Sequence, residues 1–542
     1  MIDAISLSVF RHRLEAIAEE MGEALARTAS SPNIKERRDF SCAVFDSTGR
    51  LIAQAAHIPV HLGSMPMSVA AAIEARDISG DDVVVVNDPF AGGTHLPDVT
   101  MVTAVDGDKR YGYVATRAHH MDIGGMSPGS MPLAVDTYQE GIAIPPVTIR
   151  RGGVWNDDLL DVLARNVRTP DEFRSDLRAQ AAAQSTGETR LRALVARAGK
   201  DTTFAAMAAL IDYSERAMRR TIDAIPDGTY EADDVMESAT EPGRVHRIRV
   251  NVIVKGSSVS VDFAGSDPQV GEPVNAVISI TASAVMYCFV CLMDIDVPVN
   301  AGCFAPIDVL APLGSIVNAK PPAAVSAGNV ETSQRIVDVV FRALAVALPD
   351  RIPAAGQGTM NNVTFGGWDP RRQRSFSYYE TVGGGMGGSP KSPGLSGVHV
   401  AMSNTWNTPV EALEYELPVQ IEHYRLRPGS GGKGQNPGGD GIDRGYRFLV
   451  PARGTVISER RQVAPWGLAG GQPGAVGENR LRDEPLPAKA EFDANAGDLL
   501  QVASPGGGGW GPPQVKPTAR RMAGGHEYSR GARCEHEQQV SD

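Results

Sequence analysis

A chain of 542 residues, 42% hydrophobic and 21% charged, can bury several cores and has an ordinary soluble globular composition. Its formal charge of −12 argues against nucleic-acid binding, because a phosphate backbone needs a basic face. Five cysteines without regular spacing indicate a reduced, cytoplasmic protein and not a disulfide framework, while 58 glycines and 37 prolines predict many tight turns and irregular loops.

Residues 1–10 carry no basic n-region, so no secretory signal is expected. Leu14, Ile17, Met21 and Leu25 recur at spacings of three and four, which predicts an amphipathic opening helix. Phe40–Phe45 and Leu51–Gln54 flank Asp46-Ser47-Thr48-Gly49, a β-hairpin pattern, with Asp39 at the strand entrance. A surface salt bridge to the adjacent arginines is the ordinary role of such a carboxylate. A short Ala-rich helix is predicted over Pro66–Arg76, then a buried strand over Val83–Val86.

The next stretch, Asn87 to Gly125, concentrates the chemistry. Five of the eleven histidines lie between His57 and His120, and two His-x-x-Asp patterns occur, His95 with Asp98 and His119 with Asp122. Imidazole nitrogen and carboxylate oxygen together suit Zn2+ or Mn2+. A polar turn with capping hydrogen bonds is the competing reading. Pro89, Gly92, Gly93 and Pro97 put His95 on a loop. Val99–Val105 and Tyr111–Ala115 form a strand pair from whose end His119 and His120 emerge. Adjacent strand residues point to opposite faces, so at most one of the two joins a shared site.

Thr169-Pro170-Asp171-Glu172 reads as a capping box opening Ala- and Arg-rich scaffold helices. A β section follows at Val245–Val254 and Ser258–Phe263, then an apolar segment, Ala276–Met293, and a helix over Val330–Leu348. Ser279, Thr281 and Ser283 and acidic flanks make Ala276–Met293 a buried core helix and not a membrane span. Cys288 and Cys291 within it are read as packing. Gly383–Gly388 satisfies G-x-G-x-x-G, but prolines follow where a helix is required, and the Gly432-Lys433 stretch lacks the Ser/Thr of a phosphate loop. No ATP site is expected on this chain.

Several stretches together resemble the hydantoinase B/oxoprolinase family, the B-type subunits of ATP-dependent N-methylhydantoinases and lactamases, related to acetone- and acetophenone-type carboxylases. They are Glu36-Arg37-Arg38-Asp39-Phe40-Ser41, Asn87-Asp88-Pro89-Phe90 through Asp98, Ala118-His119-His120-x-Asp122-Ile123-Gly124-Gly125, Tyr379-Glu380-Thr381, Asn404 through Glu411 and Pro465-Trp466-Gly467. The resemblance implies a divalent metal, Zn2+ or Mn2+, on Asp39, His95, Asp98 and His120, with His119 an alternative to His120. Asp88, His119 and Asp122 then become candidates for orienting the ligands. No catalytic residue beyond the metal ligands is assigned. The resemblance further implies an ATP-binding A-type partner subunit, in a hetero-oligomer such as a heterotetramer, that phosphorylates the substrate oxygen.

These readings predict the metal-bearing subunit of an ATP-dependent amidohydrolase that opens a cyclic amide such as a hydantoin, 5-oxoproline or a lactam. A biotin-independent ketone carboxylase subunit and a non-catalytic scaffold are the alternatives. The expected fold is α+β and multi-lobed: a β-rich metal lobe over 1–168, a helical and mixed middle over 169–355, a Gly-rich β lobe over 356–515 and a disordered tail over 516–542.

Overall fold

The computed structural model describes residues 2–55, 58–294 and 296–513; the tail expected over 516–542 lies outside them. The architecture is mixed α+β with four sheets among the described residues.

The first sheet comprises β1 (Phe40–Phe45), β2 (Leu51–Gln54), β3 (Val83–Val86), β4 (Asp98–Asp106), β5 (Arg110–His119), β6 (Val147–Arg151) and β7 (Val154–Trp155), in the spatial order β2-β1-β5-β4-β3-β6-β7. Both faces are covered. Phe40, Cys42 and Val44 pack with Leu14, Met21 and Leu25 of the opening helix Ala4–Thr28 and with Leu191 of helix Pro170–Ala198. Ala43 and Phe45, alternating to the other face, meet Val69 and Ala72 of helix His61–Ala75. This explains why β1 is buried at every position.

Three helix expectations need correction. The helix expected from Pro66 starts a turn and a half earlier, at His61, and Pro66 lies inside it. Its unpaired first-turn amides find an outside acceptor: Gly63 and Ser64 both donate to Ser283 Oγ at 3.0 Å. Thr169 makes no side-chain capping bond, and Glu172 faces Arg374 at 3.7 Å instead. The helix expected over Val330–Leu348 is an α-helix, Ser333–Ala347, preceded by one π turn, Gly328–Thr332.

Strands β8 (Gly228–Glu237), β9 (Val245–Lys255), β10 (Ser258–Asp262) and β11 (Ile307–Leu310) form the second sheet, with β10 and β11 parallel. Helices Ile278–Val290 and Ser333–Ala347 share its core, which runs from Ile58 to Val502 and takes residues from every third of the chain. Among the described residues no helix is long and apolar enough to cross a membrane. Cys288 is buried in that core as expected, whereas Cys291, at the helix end, is exposed.

The remaining two sheets hold residues 362–503. Between their strands, glycine-rich segments pack backbone against backbone: Gly388 donates to Gly508 O, Gly507 to Gly439 O and Gly432 to Gly507 O, at 2.8–2.9 Å. Gly383–Gly388 belongs to this packing, and no helix directly follows it.

Candidate metal centre

Three strand ends build the site. Asp39 immediately precedes β1, Asp98 opens β4 and His119 closes β5; because these strands are antiparallel neighbours, all three residues arrive at one edge of the sheet. Asp98 and His119 are directly opposed in the β4–β5 ladder, and the His119 amide donates to Asp39 O at 3.0 Å. Opposed residues of an antiparallel pair share a face. His95 comes from the loop before β4, and His61 from the N-terminus of its helix.

The carboxylate of Asp98 is the hub. Its Oδ2 lies 3.4 Å from both His61 Nε2 and His95 Nε2, and it accepts the Thr94 hydroxyl at 2.6 Å. His119 stacks on the Tyr379 ring at 4.4 Å and meets His95 edge-on at 5.0 Å. Asn33 Nδ2 stands 2.9 Å from His119 Nδ1. Arg37, 4.0 Å from Asp39, lies over the Tyr379 ring and donates to Tyr379 O at 3.1 Å and Thr381 Oγ1 at 2.7 Å. Asp39, His61, Asp98, His119, Asn329 and Tyr379 line a void of about 20 Å³, enough for one water-sized particle.

Burial governs the protonation of this cluster. It pushes the Asp39 carboxyl up to about 7, against the pull of Arg37. It lowers the His61 imidazole, and holds His119 well below the ordinary histidine range, with His95 adding to the effect on His119. Burial would also raise Asp98, but His95 and His61 outweigh it and hold this carboxyl well below the usual range. Burial thus favours the neutral form, the one in which histidine binds metal, at His61 and His119.

The donors fit a divalent ion in chemistry. Asp98 Oδ1 and Asn329 Oδ1 are buried acceptors without a hydrogen-bond partner, and His119 Nε2 is likewise unpartnered; its lone pair is available to an ion once the Asn33 amide turns its oxygen to His119 Nδ1. His95 Nδ1 donates to Ser326 O at 3.3 Å, which leaves the Nε2 lone pair for a ligand. Ser326 is itself fixed through its amide, which donates to Glu140 Oε1 at 2.7 Å. Among the described residues, however, no three His, Cys, Asp or Glu side chains are arranged as a formed cage; they meet pairwise through Asp98. Ser41 Oγ lies 2.8 Å from His61 Nδ1, giving a Ser41–His61–Asp98 chain. Ser41 does not line the void, and its hydroxyl braces His61 from behind.

His120, expected ahead of His119, points away. Its Nε2 lies 2.9 Å from Gln180 Oε1 and its ring packs on Phe173, on the far face of the sheet; the strand pleat sends consecutive side chains to opposite sides. Asp88 caps the turn Pro89–Ala91 by accepting the Phe90 amide at 2.9 Å. Asp122 accepts the Gly124 and Arg168 amides at 3.0 Å and the Arg168 guanidinium at 3.1 Å. Neither touches the cluster in these contacts. Sequence reasoning misses His61 and Asn329. His61 falls in the histidine-rich stretch, but a helix starting only at Pro66 would leave it in a loop. Asn329 has no local signal.

The chain matches the hydantoinase B/oxoprolinase family over residues 3–513. An uncharacterized protein of Methanocaldococcus jannaschii is 42% identical over 94% of this chain and 91% of its own length. The 5-oxoprolinase 1 of Arabidopsis thaliana is 38% identical over 94% of this chain, which spans 42% of that longer protein. A protein of Pseudomonas sp. (strain NS671), provisionally the B-type component of a D-/L-hydantoinase, is 33% identical over 94% and 90% of the two chains. The crystal structure of the ATP-dependent caprolactamase from Pseudomonas jessenii superimposes with a TM-score of 0.89 at 29% identity, over 96% of this chain and 93% of that one. Acetone carboxylase shares the fold, with a TM-score of 0.83 at 18% identity over 93% and 75% of the two chains. With the family matched from end to end of the described fold, this chain belongs to the hydantoinase B/oxoprolinase family.

Proposed function

We propose that this chain is the metal-bearing subunit of an ATP-dependent amidohydrolase that opens a cyclic amide after an ATP-binding partner subunit has phosphorylated the amide oxygen. The observation that carries the reading is the buried cluster of Asp39, Asp98 and His119 around a void of one-water size, with His61 and His95 both against Asp98. Relatives whose names specify a 5-oxoprolinase, a hydantoinase and a caprolactamase all concern cyclic amides, which supports the substrate class.

Asp39, His95, Asp98 and His119 would hold Zn2+ or Mn2+, and His61 would steady Asp98. A divalent ion there supplies Lewis acidity toward a carbonyl or phosphoryl oxygen. The protein's own part is to hold the donors. Tyr379 fixes the plane of His119, Ser326 the tautomer of His95, and Arg37 the carboxylate of Asp39. An open pocket of about 300 Å³, walled by Tyr287, Phe341, Val400 and Trp466, shares Ser403 with the void and suits a small ring. An amide resists hydrolysis through resonance, and phosphorylation of its oxygen removes that resistance; the partner therefore does the activating and this chain the completing.

The test is elemental analysis of the purified protein beside His95→Ala, with ring opening of hydantoin, 5-oxoproline and caprolactam assayed with the partner and ATP. About one Zn or Mn per chain, lost in the variant, and ATP-dependent ring opening of one substrate are expected. Incorporation of labelled bicarbonate into a ketone, with no ring opened, would replace this reading with the carboxylase.

A further inference from the structure

We infer that Asn329 belongs to the ion-binding set, contributing its side-chain oxygen from a segment more than two hundred residues downstream of the strand ends. The inference rests on the metal reading above. Asn329 Nδ2 stands 3.0 Å from His95 Nε2 and 3.4 Å from Asp98 Oδ2, so the amide is placed against the same two atoms that a cation would engage. Asn329 also lines the void, and its Oδ1 is buried with no partner. A buried carbonyl oxygen left unpaired costs about 1–3 kcal/mol. A half-turn of the amide exchanges the two atoms and turns that oxygen toward His95 and Asp98. Without an ion, the NH2 group satisfies the imidazole lone pair and the carboxylate; with one, the oxygen replaces it as a neutral hard donor.

The backbone is built to hold this side chain in place. Asn329 lies in the π turn Gly328–Thr332, a geometry that recurs at functional sites. The turn is tied down on both sides. The amides of Ala327 and Gly328 donate to Pro273 O at 2.9 and 3.0 Å, Ser333 Oγ donates to Asn329 O at 2.7 Å, and Glu331 accepts Asn362 Nδ2 at 2.7 Å. Asn362 Oδ1 in turn accepts the hydroxyl of Tyr379, the ring stacked on His119. The ion would therefore tie the first sheet to the segment that follows the second.

The test is Mn2+ titration of the metal-stripped full-length chain, with free Mn2+ followed by electron paramagnetic resonance, for the wild type, Asn329→Leu and Asn329→Asp. The melting temperature of each metal-free protein is measured in parallel. Asn329→Leu is expected to bind roughly tenfold or more weakly. Asn329→Asp restores an oxygen and is expected to bind at least as tightly as the wild type, even where the leucine variant folds poorly. Wild-type affinity in Asn329→Leu, or loss of binding in Asn329→Asp at an unchanged melting temperature, would overturn the inference while leaving the metal site standing. A wild-type chain that binds neither Mn2+ nor Zn2+ would instead remove the metal reading, and this inference with it.

Discussion

Asp98 and His119 sit directly opposite one another in the β4–β5 ladder, and one residue further on His120 faces the other side of the sheet, against Gln180. That alternation decides which imidazole can share a site with Asp98 and His95. On the proposed metal reading, His119→Ala is therefore expected to lower metal affinity by roughly 100-fold or more, since it would remove a donor. His120→Ala should keep the metal and cost about 1–2 kcal/mol of stability by leaving Gln180 Oε1 short of its donor. Metal content and denaturant unfolding of the two variants separate the roles; metal loss in His120→Ala alone would reverse the assignment.

Gly328 controls the position of Asn329 without touching the site. A Cβ on it would lie 1.9 Å from Asn275 O and 2.6 Å from its carbonyl carbon, both backbone atoms. Gly328→Ala must push the π turn away from the segment Glu272–Asn275 that braces it. The expected cost is about 2–3 kcal/mol of stability, with weakened metal binding. Unchanged Mn2+ affinity in a variant destabilised to that extent would show that the turn does not set the site.

The differing legibility of these parts has a physical basis. The elements that deliver Asp39, His95 and Asp98 are readable because β1, β3 and β4 are apolar runs bounded by turn residues, and the pleat limits the site to one of His119 and His120. His61 is obscured by Pro66, which ordinarily marks a helix start; here Ser283, from a helix more than two hundred residues away, caps an earlier turn. Asn329 reaches Asp98, and Arg37 reaches Tyr379, through contacts separated by 231 and 342 positions, a range over which no local pattern operates. Asp122 shows the converse error: its His-x-x-Asp spacing repeats that of His95 and Asp98, yet the Arg168 guanidinium and three backbone amides occupy its carboxylate.

The brace itself is sensitive to acid. Glu272 is 4% exposed and accepts Ser238 Oγ at 2.6 Å, the Ala239 amide and Thr240 Oγ1 at 2.8 Å, and faces His246 Nε2 at 3.1 Å. Burial pulls its carboxyl upward, but these donors, His246 foremost, prevail and hold it well below the ordinary range. A carboxyl depressed in the folded state contributes stability above its unfolded pKa of about 4.3, and that contribution is lost as pH falls below this value. Glu272→Gln is thus expected to destabilise the protein by about 1–2 kcal/mol at pH 7. The gap to the wild type should narrow on lowering the pH to 4 and beyond. A gap that stays constant from pH 7 to pH 3.5 in urea unfolding would contradict the charged state assigned to Glu272.

The glycine-rich C-terminal third makes a prediction of a different kind, because its glycines serve close packing and not only turns. Gly507 donates to Gly439 O at 2.9 Å and accepts from Gly432 at 2.8 Å, and a Cβ on it would stand 2.1 Å from Met386 O. All of these neighbours are backbone, held in turn by their own hydrogen bonds, so none can yield by a rotamer change. Gly507→Ala is expected to cost about 3 kcal/mol. Gly271, where a Cβ would meet nothing within 4 Å, is the control: Gly271→Ala should stay within about 0.5 kcal/mol of the wild type. Equal denaturation midpoints for the two variants would mean that the segments around 430–439 and 505–511 can separate at little cost. A large loss confined to Gly507→Ala would establish that direct backbone contact between these segments is required for this part of the fold, alongside the buried side chains of Tyr446, Phe448, Leu500 and Val502.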